Sequence, residues 1–131
     1  PQWKAGTVHF KFEAGNIDIL KNDGERIQVP AEPNVWYHCA YTSDTEVNEL
    51  KLFINGELMG NVKAGAEPNN LTHLRIGSEH DGRYFPGILD EVRLYSRALT
   101  LQEIADLRDA GVSEDSTPPA PPENLEVRIM E

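Results

Sequence analysis

The chemistry-bearing residues of this chain gather between Leu74 and Ile104, in the stretch LRIGSEHDGRYFPGILDEVRLYSRALTLQEI. Glu79 and Asp81 place two carboxylates two residues apart, directly after Gly77-Ser78. Asp90 shares the phase of Ile88, Val92 and Leu94, because side chains repeat every second residue along a strand. A carboxylate on such an apolar face must find a donor or a cation, since burying it alone is costly. Arg83 and Tyr84, with Trp3 near the chain start, offer planar and aromatic surface suited to the apolar face of a sugar ring. His9, His73 and His80 lack a close ligand spacing, which argues against zinc. His38, in the run Trp36-Tyr37-His38, reads as a residue that packs and hydrogen-bonds in the core.

These residues need strands to hold them. Leu74 and Ile76 alternate in one segment over 72–78, and Ile88, Val92 and Leu94 in another, with the acidic loop between them. Glu91 and Arg93 share the opposite face of the second and read as an exposed ion pair of small energetic weight. Upstream, Val8, Phe10 and Phe12 alternate with His9, Lys11 and Glu13. Short strands follow at 16–20 and 26–29, separated by Asp23-Gly24, which suits a tight hairpin. An aromatic-rich strand is expected at 35–42. Leu50, Leu52 and Ile54 run into Asn55-Gly56, the strongest hairpin signal present, with a return strand at 57–63. Pro68-Asn69-Asn70 turns into the 72–78 strand.

One helix is expected. Thr100 is a good N-cap and Glu103, three residues on, completes a capping box. Leu101, Ile104, Ala105 and Arg108 lie on one face with Leu107 beside it, and Gly111 fits the position just past the helix end. About eight strands and one short C-terminal helix predict an all-β, antiparallel jelly-roll β-sandwich.

At 131 residues one domain is the expectation, long enough to bury a core. The chain holds 22 acidic and 12 basic residues, a net charge of −10. No basic stripe exists to neutralise phosphates, so nucleic acid is not an expected partner. The acidity suits solubility or cation binding. Cys39 is the only cysteine, so no internal disulfide forms, and it reads as a small buried hydrophobe. No run is long and apolar enough for membrane insertion, and the chain starts at Pro1 without a signal peptide, as a piece of something longer would. Pro118 to Pro122 carries four of the nine prolines and reads as an extended linker over 113–122. Residues 123–131 alternate again, as a docked tail or the start of a following β domain; the PPENLEV run resembles the first strand of a fibronectin type III domain.

The order Trp36-Tyr37-His38-Cys39-Ala40, LKLFINGEL, LRIG, YFPGILDEVRLYSRAL and the capped TLQEI resembles the laminin G-like branch of the concanavalin A-like lectin/glucanase superfamily, and the pentraxins that share its jelly roll. The match runs from about residue 7 to residue 110, within a domain placed at 1–112. The resemblance implies further strands ahead of residue 7, so the domain is expected to be N-terminally incomplete. The missing strands would belong to a longer chain, be dispensed with in a smaller variant, or come from another chain by strand addition.

The pentraxin loop resembles G-x-E-x-D, and by that match Glu79 and Asp81 become candidate calcium ligands, calcium taking about six to eight oxygens. The alternative is a solvated acidic loop. In the pattern F-x-G-x-I-D-E-V, here Phe85 to Val92 with Leu89 in place of Ile, the residue matching Asp90 often has a structural role and sometimes helps hold calcium. A hydrogen bond to backbone amides or to Arg75 is the alternative. Glucanases of the superfamily resemble E-x-D-x-x-E and need two glutamates across the scissile bond. Here Tyr84 replaces the second, and Gly82 would break the aligning strand. No nucleophile elbow or phosphate loop is present.

The expected function is a noncatalytic extracellular or cell-surface recognition module, part of a multidomain protein, that binds glycan or a protein ligand through loops including Arg83 and Tyr84, with calcium as the candidate cofactor. The alternative is a structural or assembly domain that pairs with a neighbour, or with itself, through an open sheet edge.

Overall fold

The computed structural model describes residues 8–21, 25–64, 76–78 and 82–114. Six strands among them form two antiparallel sheets. The first holds β1 (Val8–Glu13), β2 (Asn16–Lys21) and β3 (Arg26–Pro30), in that order. The second holds β4 (Cys39–Asp44), β5 (Glu49–Ile54) and β6 (Glu57–Val62). One helix, α1, spans Leu101–Glu114. The expected β-sandwich with a single C-terminal helix is therefore what the chain builds.

Register explains the core. Phe10 pairs with Ile19 and Ile19 with Ile27, while Phe12 pairs with Ile17 and Ile17 with Val29. Each row presents apolar side chains to one face, because facing residues of paired strands point the same way. Leu50, Leu52 and Ile54 do the same on β5. Ile17, Ile19, Ile27, Leu50, Leu52 and Ile54 make the buried cluster, closed at its ends by Ala31 and Ala64. Gly60, opposite Leu52 on β6, sets how near the sheets come: a Cβ there would stand 3.2 Å from Ile27 Cγ2. At the other side, Phe10 and Tyr41 join β1 to β4 edge to face, with ring centroids 5.8 Å apart.

The Asn55-Gly56 hairpin forms as expected. Both residues take positive φ, 52° and 82°, as the mirror-image turn between twisted strands requires. The capping box forms too: the Glu103 N–H donates to Thr100 Oγ1 at 3.2 Å, and the Thr100 N–H donates to Glu103 Oε2 at 2.8 Å. Arg97 clamps the same carboxylate with two bonds, at 2.6 and 2.9 Å. Together they hold the Glu103 carboxyl down at about 2, the Arg97 bonds contributing most.

Three expectations need correction. The strand expected at 35–42 starts only at Cys39. His38 spends its N–H and its carbonyl on Asn55, and Tyr37 Oη accepts from the Glu32 N–H, so this segment has a loop's hydrogen bonds rather than a ladder's. The segment 88–94 is not a strand. Glu91 sits at φ 51°, and a left-handed residue reverses the alternation on which that reading depended. Gly111 does not end the helix, which runs on through Glu114; one internal glycine costs about 1 kcal/mol relative to alanine and does not by itself stop a helix. Leu101 is exposed, leaving Ile104 as the buried anchor of α1. The Asp23-Gly24 turn, the 68–70 turn, most of the 72–78 strand and the proline-rich stretch from Asp115 lie outside the described residues. Among those described, no helix is long and apolar enough to cross a membrane.

Candidate ligand-binding surface

Tyr84 is held by its backbone and open at its ring. Ser78 and Tyr84 form an antiparallel bridge, and the Phe85 N–H donates to the Gly77 carbonyl at 2.9 Å. Gly77, just before Ser78, and Gly82, two residues before Tyr84, take φ of 77° and 85°, the left-handed conformation that glycine adopts without steric cost. Phe85 folds back over Gly87, where an added Cβ would meet its ring at 2.7 Å. Leu89 packs near Gly77 and ties the far end of the segment to its start. Tyr84 is left 77 % exposed, the most open large apolar side chain among the described residues.

Arg83 belongs to the same loop and acts electrostatically on Glu13, at the end of β1. The Glu13 carboxyl is held below its ordinary range chiefly by its bond to Lys11 Nζ at 2.6 Å, with Arg26 and Arg83 adding smaller pulls. The loop is thus linked by charge to the outer face of the first sheet. Arg83 and Tyr84, singled out from the sequence, are neighbours on one backbone-pinned loop.

Asp90 is not on a buried apolar face. It is exposed, and its Oδ1 accepts from the N–H of Glu91 at 2.9 Å. The positive φ of Glu91 turns the carboxylate onto its own neighbour's amide, a local cap in place of a core contact. The expected Glu91–Arg93 pair forms, with Arg93 Nη2 2.7 Å from Glu91 Oε2. Glu79 and Asp81 lie outside the described residues. Among those described, no three His, Cys, Asp or Glu side chains come together to hold a metal ion. Cys39 is partly buried, and burial pushes its thiol up to about 11, so it stays protonated and inert.

Sequence reasoning missed Asp18. It lies between Ile17 and Ile19 but points to the other face of β2, and it is fully buried. Arg26 on β3 donates to both of its carboxylate oxygens, from Nε at 3.3 Å and from Nη2. Asp18 pairs directly with Lys11 on one side and Gln28 on the other, so a polar row crosses the outer face of the sheet. The available signal was the register: it places Arg26 diagonally across from Asp18 on the same face. A separate open cleft of about 390 Å³ is lined by Glu25, Asn48, Glu49, Asn61, Val62 and Lys63. Its carboxylates and amides are the groups that hydrogen-bond hydroxyls.

Comparison with known proteins follows the same lines. A family model described as concanavalin A-like lectin/glucanases superfamily, of the laminin G type, matches residues 2–105. No curated protein matches the chain. Among solved structures, the chain is similar to that of an S-layer domain-containing protein from Clostridium thermocellum ATCC 27405, with 25 % identity and a TM-score of 0.51. That match covers 72 % of this chain and 52 % of the other, so the chain spans about half the length of that relative. With the match over residues 2–105 and two packed antiparallel sheets, this chain belongs to the concanavalin A-like lectin/glucanase superfamily.

Proposed function

We propose that this chain is a noncatalytic recognition module of a cell-surface or extracellular multidomain protein, and that it binds glycan at the loop carrying Arg83 and Tyr84. The observation that carries this reading is Tyr84: its backbone is pinned by the bridge to Ser78 while its ring stands 77 % exposed. An exposed aromatic on a fixed backbone offers a face to a sugar ring with only its own side chain left to order. Arg83 adds planar hydrogen-bond donors beside it. Membership of a superfamily with many lectins supports the reading, and the S-layer relative supports a cell-surface setting. Calcium assistance is part of it, with Glu79, Asp81 and Asp90 as the candidate ligands. Catalysis is not, because Tyr84 stands where a glucanase would carry its second glutamate.

A glycan array with the chain and with Tyr84→Ala tests the proposal. Saccharide binding that falls at least tenfold in Tyr84→Ala supports it. Binding that survives Tyr84→Ala but is lost in Asn61→Ala moves the site to the open cleft. An empty array sinks glycan recognition and leaves a protein ligand to be sought.

The alternative is an assembly role, favoured by one observation. β1 and β4 form one side of the sandwich and have no further strand partner among the described residues, and Phe10 and Tyr41 are each about two-fifths exposed there. An open edge of that kind accepts an added strand. Sedimentation over a concentration series separates the readings: a folded chain that stays monomeric throughout removes self-association.

A further inference from the structure

Asn55, at the tip of the β5–β6 hairpin, anchors two segments far from it in sequence. Its Oδ1 accepts from the His38 N–H at 3.0 Å, and its own N–H donates to the His38 carbonyl at 2.7 Å. Its carbonyl accepts from Arg108 Nη1 at 2.6 Å, which fastens α1 to the hairpin. Gly56 leaves room for that guanidinium: a Cβ there would stand 3.0 Å from the same Nη1. His38 and Arg108 therefore depend on one turn.

The His38 ring is partly buried, and its Nδ1 is fully buried with no hydrogen-bond partner among the described residues. The charged groups acting on it are Arg108, from α1, and Arg93, from the segment after Glu91. Neither offers an acceptor. Each of those cations is itself paired with a carboxylate: Asp109 Oδ1 with Arg108 at 2.6 Å, and Glu91 Oε2 with Arg93 at 2.7 Å.

We propose that His38 is an acid-sensitive latch, which holds α1 on the β5–β6 hairpin while its ring is neutral and releases the helix when the ring takes a proton. An imidazolium carries N–H at both nitrogens, so in either starting tautomer the charged ring has an Nδ1–H with no acceptor. An unpaired charged donor in a buried position is costly, and two guanidiniums repel it further. The ring gains solvent when the 36–38 segment lifts from Asn55, which breaks both His38–Asn55 bonds and loosens the turn that seats Arg108.

The direction of the pH effect follows from the same contacts. Burial first, then Arg108 and Arg93, hold the His38 pKa below its ordinary 6.5. The folded state then binds this proton less readily than the unfolded state. The latch is at full strength above about pH 6.5 and is lost as the pH falls through the lower folded value. Across that window the opening equilibrium rises as the pH falls, by at most about tenfold per pH unit for one proton.

The test is amide hydrogen exchange at Ile104, the buried residue of α1, with the His38 ring titrated by NMR on the same sample. Opening of α1, corrected for the intrinsic exchange rate, is expected to increase as the pH falls below about 6.5 and to level off once the folded His38 ring has titrated, and to lose that dependence in His38→Gln. Should His38→Gln fail to fold, Arg93→Gln keeps the histidine and removes one cation; its His38 midpoint is expected to rise towards 6.5 and its helix to become less sensitive to acid. A wild-type His38 that titrates at or above 6.5, or a helix that opens with the same pH dependence in either variant, overturns the latch.

Discussion

Arg26 on β3 closes diagonally over Asp18 on β2, donating from Nε and Nη2 to both oxygens of a carboxylate that has no solvent exposure. The pair lies on the face of the first sheet opposite the hydrophobic core. It turns the middle of that face into a neutralised, ordered layer beside Lys11 and Glu13.

Removing one partner of this pair is expected to cost more than removing both. Arg26→Met leaves the Asp18 carboxylate without its main donor, whereas the double variant Asp18→Leu with Arg26→Met leaves no charge to compensate. Urea denaturation of the three proteins checks this. A double variant less stable than Arg26→Met would show that the pair contributes net stability beyond avoiding an orphaned charge.

Acid is expected to weaken the start of α1 through Glu103. Its folded pKa of about 2 lies below the ordinary 4.5, so its contribution is complete above about 4.5 and is lost as the pH falls towards 2. Helical circular dichroism of the chain should decline over that range, and less so in Glu103→Gln. Thr100→Ala removes the other half of the capping box and should cost about 1 kcal/mol at neutral pH, read from the thermal midpoint.

Gly60→Val should separate the two sheets. Even a Cβ at this position comes within 3.2 Å of Ile27 Cγ2, with Ile27 Cγ1 and Cδ1 at 3.8 and 3.9 Å, so a branched side chain there crowds Ile27. Overpacking of this kind costs about 1–3 kcal/mol. The expected signs are a lower thermal midpoint and partial recovery in the double variant Gly60→Val with Ile27→Ala, since the second change removes the atoms in conflict. No recovery would mean that β6 strains elsewhere.

Calcium should raise the thermal midpoint relative to chelator if Glu79 and Asp81 bind it. A ligand that binds only the folded state adds about 2.7 kcal/mol at a hundredfold excess over Kd. Glu79→Gln is expected to abolish the shift. Asp90→Asn is expected to reduce it only if Asp90 exchanges its bond to the Glu91 N–H for the metal. An unchanged midpoint leaves Asp90 as a local cap.

What the sequence determined by itself is the structure that depends on neighbours a few residues apart. Thr100 and Glu103 form the capping box their spacing predicts, Asn55-Gly56 makes the hairpin turn, and Val8, Phe10 and Phe12 line one face of β1, because each depends on local backbone geometry or on strand period alone. The family is visible in the same way, as an ordered series of such local motifs. Tertiary structure decided the rest. Asp18 drew no reading from the sequence; Arg26 and the fold close over it, and its burial is a property of the whole layer. Asp90 reads as buried because the alternation of Ile88, Val92 and Leu94 continues on paper; one left-handed residue, Glu91, breaks that phase and turns the carboxylate outward. His38 has no charged neighbour in sequence, and only the fold brings the charges of Arg93 and Arg108 to act on its ring. Spacing along a chain measures contacts across one strand pair or one helical turn, while burial and long-range charge depend on which surfaces the packed sheets and helix finally cover.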